Sequence, residues 1–250
     1  MAKPHRAVRR SAAVTVAAAL VCCAASACSS LSGEPERYTQ ACGVVLDGSG
    51  SASASPGGFD SKAKLEEKLT PFLTDNKCRK VSFGPITKVS QASTCQVSTV
   101  DIDPDLSDNA DREQVRKQEQ LLALAAAEKM LSCAQKQEPG SDVLGGLARI
   151  AQDRPSGDGT FDVLVVSDFD HNEPDFRLGK QDLSTSAKRD SVIDSLLSTH
   201  GTPDLKGVDI YPVGYGMKYK TSVTRYQQFD AFWKELLEGR VKAHVHTTYR

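Results

Sequence analysis

The sequence predicts an α/β fold: a doubly wound, mostly parallel six-stranded sheet with one antiparallel edge strand and helices on both faces. The first observation is that short apolar runs, such as 163–166 and 208–213, alternate with segments of helical apolar spacing. The second is that residues 80–87 and 95–102 are two predicted strands joined by a link too short for a helix, so they should be antiparallel neighbours. The other strands are joined by crossover helices, which favour a parallel arrangement.

The N-terminal residues are expected to direct export. Four basic residues and no acidic one precede a run of small and apolar residues at 12–27, as in a secretory signal peptide. Small residues then precede Cys28, an arrangement similar to that of bacterial lipoprotein signals. We predict a signal peptide at 1–28 with Cys28 as the lipidation site. The alternative is ordinary cleavage near Ala27, which would leave Cys28 without a role.

In the first half of the mature chain, the secondary structure is predicted from capping residues and the spacing of apolar residues. Residues 29–40 are predicted to be a polar tether, and 44–46 is a short buried strand. Asp60 can cap a helix that runs to about residue 74, because its apolar residues recur at helical spacing. The two strands of the antiparallel pair, described above, come next.

An acidic loop and a long helix follow the antiparallel pair. The loop at 103–111 lacks the glycine and the final Glu of an EF-hand, so we interpret it as a solvated loop rather than a calcium loop. A helix is predicted at 110–135, with Leu122 and Met130 on its inner face.

The second half continues the alternation of strands and helices. Ser141 or Asp142 should cap a short helix. Further elements are predicted by apolar runs and by helical spacing: strands at 161–167 and 208–213, and helices at 184–200 and 224–238. The domain is expected to span 41–240, with 241–250 as a tail or an edge strand.

Composition excludes one class of partner. Of 31 Lys and Arg, four lie in the signal, so the mature chain has 27 against 32 Asp and Glu, a net charge of −5. A nucleic-acid-binding protein would need a basic face, so we expect no nucleic-acid partner. About 220 residues suffice for one well-packed domain.

Four cysteines remain after the signal: Cys42, Cys78, Cys95 and Cys133. An even number in an exported chain indicates disulfides, with three possible pairings, and structural zinc is the alternative. In the predicted topology, Cys42 and Cys78 lie at the starts of adjacent parallel strands. Cys95 begins the antiparallel strand and Cys133 ends a helix at the opposite edge. We therefore predict Cys42–Cys78 and Cys95–Cys133.

Three segments place oxygen ligands where strands end or helices begin. Asp47-Gly48-Ser49-Gly50-Ser51 follows the first strand, Gly140-Ser141-Asp142 opens a helix, and Asp168 follows the strand at 161–167. In combination and order, these segments resemble the motifs of a von Willebrand factor type A domain that carries a metal-ion-dependent adhesion site. The strand at 208–213 with Gly214-Tyr215-Gly216 completes the resemblance, which covers about residues 41–240.

The resemblance implies a metal site with five ligands: Asp47, Ser49, Ser51, Ser141 and Asp168. The implied cofactor is Mg²⁺, or alternatively Mn²⁺ or Ca²⁺, since carboxylates and hydroxyls are hard oxygen ligands. Ser141 replaces the commoner Thr, and Phe169 stands where Gly is usual. The alternative is that these hydroxyls only cap helices and satisfy loop amides.

Two other groups of polar residues could in principle form a site. His244 and His246 alternate along a predicted strand and so share one face. No Cys or third His accompanies them, which favours an exposed face of an edge strand over a metal-binding pair. The segment 168–173 is rich in ligand residues and would suit a metal-dependent phosphoesterase. However, in such enzymes the nucleophilic Asp normally follows the first strand, and a second Asp lies two residues on. Here Asp47 follows the first strand, and the residue two positions on is Ser49.

These observations together predict a binding module rather than an enzyme. We expect it to be lipid-anchored on the outer face of a bacterial cell membrane, or alternatively secreted. It would recognise a protein or another acidic ligand through a divalent cation. The alternatives are a phosphoesterase using the same acidic loops and a structural domain that binds no metal.

Overall fold

A mostly parallel sheet organises the domain in a computed structural model that describes residues 36–107, 110–156, 159–246 and 249. Within these residues, its six strands are Gln40–Asp47 (β1), Cys78–Ile86 (β2), Val100–Asp101 (β3), Phe161–Val166 (β4), Val208–Val213 (β5) and His244–Val245 (β6). They lie in the order β3-β2-β1-β4-β5-β6, and β3 pairs antiparallel with β2 while the other neighbours are parallel. The predicted α/β fold with one antiparallel edge strand is therefore confirmed.

The described residues from 37 onward form one compact unit, which begins before the boundary predicted at residue 41. Arg37 and Tyr38 already contact the fold, through Asp105 and Asp103 respectively. The predicted signal at 1–28, with Cys28, lies outside the described residues, as does most of the tether. Within the described ranges, no helix has the length and apolar character needed to cross a membrane.

Alternate residues of β1 enter two separate hydrophobic clusters, because successive side chains of a strand point to opposite faces. The described helices are Ser61–Asp75 (α1), Arg112–Ala134 (α2), Val143–Ile150 (α3), Ser186–His200 (α4) and Val223–Lys234 (α5). Val44 and Leu46 share a cluster with buried residues of α1 and α2. Val45 belongs to the cluster that contains residues of α3, α4 and α5. The central strand is thus buried on both sides.

Both predicted disulfides are present. Cys42–Cys78 joins β1 to β2, with 5.7 Å between the Cα atoms. Cys95–Cys133 joins the segment before β3 to the last turn of α2, also with 5.7 Å between the Cα atoms. Each bridge closes a long loop and so restricts the unfolded chain, an effect worth about 2–4 kcal/mol.

The third strand is shorter than predicted. The whole segment 95–102 was expected to pair, but only Val100–Asp101 does. The residues before it are held elsewhere: Cys95 is bonded to Cys133, and its carbonyl accepts a hydrogen bond of 3.0 Å from Arg149. These contacts draw the segment towards α2 and α3 and away from the edge of β2.

The predicted inner face of α2 was wrong at Leu122, whereas Met130 is buried as predicted. Leu122 is 56% exposed and its neighbour Leu121 67%, whereas Arg112 and Arg116 are buried. The arginines point inward because both hold Asp103, which is buried as well. The acidic loop is therefore anchored at Asp103 rather than solvated throughout.

The C-terminal region also differs from the prediction. The last α-helix was expected to reach residue 238, but α5 ends at Lys234 and continues as a π-helix over Glu235–Arg240. The edge strand is limited to His244–Val245, which pairs parallel with β5. Residues 247, 248 and 250 lie outside the described residues.

Candidate functional site

The three predicted ligand segments meet at the edge of the sheet where the strand order reverses. The chain passes from β1 to β2 on one side, and β4 lies against β1 on the other. Leu46 pairs with Val166, so the residues that follow each of them leave the sheet side by side. In doubly wound sheets, ligands bind beyond the carboxyl ends of the strands at this position.

Asp47 lies at the centre of the site and is fully buried. Its Oδ1 accepts a hydrogen bond of 2.8 Å from the N–H of Ser49. Its Oδ2 accepts hydrogen bonds from the hydroxyls of Ser167, at 2.6 Å, and Ser141, at 3.3 Å. The carboxylate therefore links all three segments.

Ser49 and Ser51 lie on the tight turn that follows β1. Their hydroxyl oxygens are 3.2 Å apart, and the hydroxyl of Ser51 lies near enough to Asp168 to oppose the rise in that carboxyl's pKa. Gly48 makes this turn possible, since a Cβ at that position would lie 2.4 Å from the carbonyl carbon of Ala134 at the end of α2. Both serines are partly exposed, so their hydroxyls face the mouth of the site.

Ser141 is fixed by backbone contacts on both sides. It exchanges two backbone hydrogen bonds with Asn172, of 2.7 and 3.0 Å. The next residue, Asp142, caps α3 by accepting a hydrogen bond of 2.7 Å from the N–H of Gly145. Ser141 therefore sits between the start of α3 and the loop after β4.

Asp168 follows β4 and is also buried. Its Oδ1 accepts a hydrogen bond of 3.0 Å from the N–H of Asp170. Phe169 has a left-handed backbone with φ of 60°, a conformation that favours glycine. Packing maintains it: the ring is buried against Tyr215 and Trp233, and Trp233 Nε1 donates to the carbonyl of Phe169 at 3.1 Å.

The two carboxylates carry unbalanced negative charge. Burial raises the pKa of Asp47, although hydrogen bonds from Ser167, Ser49 and Ser141 oppose this shift. Burial, followed by the charge of Asp47, raises the pKa of Asp168 to about 7. Within the described ranges, no Lys, Arg or His forms an ion pair with either carboxylate. A hard dication would fit this donor set of two carboxylates and three hydroxyls.

Two residues of the site were not predicted from the sequence. Ser167 donates the shortest hydrogen bond to Asp47, and Asp170 lies beside Asp168. Asp170 is paired, however, with Lys218 and with the hydroxyl of Tyr219 at 2.6 Å. Strand register would have identified Ser167, because it follows Val166, which is opposite Leu46.

A cavity of about 540 Å³ opens beside the site. Ser49, Ser51 and Ser141 line one part of it. Lys88, Arg177 and Lys218 form a basic rim along another part, in which Lys218 is paired with Asp170 and Lys88 with Glu138. The cavity thus combines oxygen ligands with groups that attract an anion.

Comparison of the sequence with models of protein families and with curated proteins finds no match. The site is therefore interpreted from its own geometry.

The histidine pair near the C-terminus has a third partner that the sequence did not reveal. His244 Nδ1 and His246 Nε2 each lie 2.8 Å from the same oxygen of Asp209 on β5. The parallel pairing of β5 with β6 places Asp209 opposite His244. His244 is largely exposed, so this group lies on the surface, as predicted for the pair.

Proposed function

We propose that this chain is an exported binding module of the von Willebrand A type that recognises an acidic group of a partner protein through a divalent cation. Asp47, Ser49, Ser51, Ser141 and Asp168 would hold the cation, with Mg²⁺ as the first choice and Mn²⁺ or Ca²⁺ as alternatives. The fold class and the convergence of these five residues support the proposal.

The observation that carries the proposal is the pair of buried carboxylates without a basic partner among the described residues. Burying ionised groups is unfavourable unless a counter-charge or a metal compensates them. Three hydroxyls are already directed to the same place by Gly48, by the cap of α3 and by the Ser141–Asn172 bridge. This preorganisation would be unnecessary for a loop that served only to connect elements.

The neighbouring cavity supports an acidic ligand. A bound dication supplies a Lewis-acid position that a carboxylate from a partner can fill. The protein's own residues assist, because Arg177 lines the same cavity and attracts an anion to it, while Lys88 and Lys218 are paired with Glu138 and Asp170. Recognition of an acidic side chain therefore needs both the metal ligands and this rim.

The membrane anchor is a separate part of the proposal. Cys28 would carry the lipid after removal of the signal, and the domain would then lie on the outer face of a bacterial cell membrane. In cells fed with a labelled fatty acid, the chain should become labelled and Cys28→Ser should not. An unlabelled wild-type chain would instead favour a secreted protein.

A capture experiment with matched serine variants tests the binding function. The immobilised chain is incubated with envelope extract in Mg²⁺ or in EDTA. Ser51→Ala should lose the Mg²⁺-dependent partner. Ser53→Ala should retain it, because among the described residues the hydroxyl of Ser53 bonds to Gly50 and Ser55, both in the same turn.

Two outcomes would contradict the binding proposal. One is equal capture in Mg²⁺ and in EDTA. The other is Mg²⁺-dependent hydrolysis of p-nitrophenyl phosphate that Ser51→Ala or Asp47→Asn abolishes, which would assign the same residues to a phosphoesterase.

A further inference from the structure

A second group of ligand residues lies behind the loop that carries Asp168. His171 and Glu173 belong to that loop, and His200 is the last residue of α4. Glu173 Oε2 lies 3.1 Å from His171 Nε2 and 2.8 Å from His200 Nε2. One ligand atom from each residue lies within 4.8 Å of the other two. Two distant parts of the chain are thus brought together by three metal-ligating side chains.

Hydrogen bonding satisfies this group only in part, through the contact of His171 Nε2 with Glu173. His171 is completely buried, and its Nδ1 has no hydrogen-bond partner among the described residues. His200 Nε2 is also buried without a hydrogen bond, since its close contact with Glu173 is not aligned as one. Buried polar atoms without partners are uncommon because they cost free energy. Of these two nitrogens, His200 Nε2 is the one that faces Glu173, so a metal ion bound among the three side chains would engage it.

We propose that His171, Glu173 and His200 bind a zinc-type transition metal ion. Two imidazoles and one carboxylate are a common protein ligand set for Zn²⁺, with a fourth position left for water. Histidine nitrogen ligands favour such ions over Mg²⁺, which prefers oxygen. The proposal is therefore independent of the divalent-cation site at Asp47 and would stand if that site bound nothing.

The surroundings of the group suit a metal ion. Asp142 Oδ1 lies 3.9 Å from His200 Nδ1, the ring nitrogen that Glu173 does not approach, which is beyond hydrogen-bond distance but places a negative charge beside the ring. Glu173 and His200 line a surface cavity of about 290 Å³, which gives an ion a way in and room for a water ligand.

The metal would fasten the loop after β4 to the end of α4. Asn172, between two of the ligands, forms the backbone bridge to Ser141. Asp142, next to Ser141, faces His200. The zinc site would thus hold the loops that carry Asp168 and Ser141 in register with each other.

Zinc titration followed by calorimetry tests the proposal. The purified full chain with His244→Ala and His246→Ala serves as the background, because Asp209 with these two histidines is a second potential zinc group. This background protein should bind one zinc ion. Glu173→Gln and His200→Ala, each added to it, should weaken zinc binding by at least ~100-fold. Asp168→Asn should leave zinc binding unchanged.

Glu173→Gln distinguishes loss of a metal ligand from loss of the fold, because glutamine keeps the size of Glu173 and its ability to accept a hydrogen bond. Its thermal unfolding in EDTA should match that of the background protein. The proposal is overturned if the background protein binds no zinc, or if Glu173→Gln and His200→Ala bind it as tightly as the background does.

Discussion

The domain contains two buried aspartate clusters that differ in their source of positive charge. Asp103 accepts hydrogen bonds from Arg112 Nη1, at 2.7 Å, and from Arg116 Nη2, at 2.8 Å. Asp47 and Asp168 are equally buried, but hydroxyls and backbone N–H groups are their partners in the part of the chain that the structure describes. The first cluster is neutralised from within the chain, whereas the second is not.

The pKa values of the two clusters move in opposite directions. Burial alone would raise the pKa of Asp103, but hydrogen bonds from Arg116, the N–H of Tyr38 and Arg112 lower it to about 2. Burial and the charge of Asp47 raise the pKa of Asp168 to about 7. Burial of a carboxylate therefore does not by itself identify a metal site. What distinguishes the candidate site is the absence of an internal counter-charge among the described residues.

The largest effect is expected at the self-contained cluster. Asp103→Asn leaves two buried arginines without their carboxylate, which should cost about 3–5 kcal/mol of unfolding free energy. Urea unfolding measures it. Asp105→Asn is the matched control, because its ion pairs with Arg37 and Arg79 are exposed and should matter by less than ~1 kcal/mol. Equal losses in both variants would remove the contrast on which the comparison rests.

The same substitution should have the opposite effect at the candidate site. In EDTA at about pH 8, Asp168→Asn removes a buried charge that repels Asp47, and should stabilise the chain by on the order of 1–3 kcal/mol. With Mg²⁺ present, the gain should disappear because the wild-type chain is then stabilised by the ion. Destabilisation by Asp168→Asn in EDTA would show that the carboxylate is already compensated.

A smaller effect is expected at Ser167, which supports the site without belonging to the predicted ligand set. Its hydroxyl donates to Asp47 Oδ2, so Ser167→Ala should raise the pKa of Asp47 further and weaken Mg²⁺ binding by about 10-fold. Calorimetry at constant pH measures the change. Unaltered affinity would mean that Ser167 only fills space beside β1.

Stability should also depend on pH, with opposite signs at the two clusters. Asp168 has a raised pKa, so its contribution in the metal-free chain is complete below 3.8 and is lost as pH rises through about 7. Asp103 has a lowered pKa, so its contribution is complete above 3.8 and is lost as pH falls through about 2.

Melting curves across pH in EDTA should therefore show two separate declines. Asp168→Asn should flatten the decline towards high pH, and Asp103→Asn should flatten the one towards low pH. A wild-type stability that rises steadily from pH 4 to pH 8 in EDTA would contradict the assignment for Asp168.

The sequence predicted the central strands and the positions of the three ligand segments because both depend on local patterns. The strand at 208–213 matches Val208–Val213, and Asp60 caps α1 as predicted. Asp47 and Asp168 could be placed together because the carboxyl ends of parallel strands share one edge.

What could not be predicted depends on contacts between distant residues. Leu122 looked like a core residue of α2, but the helix is turned so that Arg112 and Arg116 reach the buried Asp103 and Leu122 is exposed. The group at His171 and Glu173 joins His200 only through the packing of α4. No spacing along the chain reveals such a contact.

The most direct test of the account is Mg²⁺ titration followed by calorimetry at about pH 8, with the wild-type chain, Asp47→Asn, Asp168→Asn and Asp103→Asn. If Asp47 and Asp168 hold the cation, the wild-type chain should bind one Mg²⁺ ion, and Asp47→Asn and Asp168→Asn should not bind it. Asp103→Asn should retain the site wherever that variant is folded. Binding that survives in both Asp47→Asn and Asp168→Asn, or a wild-type chain that binds no Mg²⁺, Mn²⁺ or Ca²⁺, would contradict it.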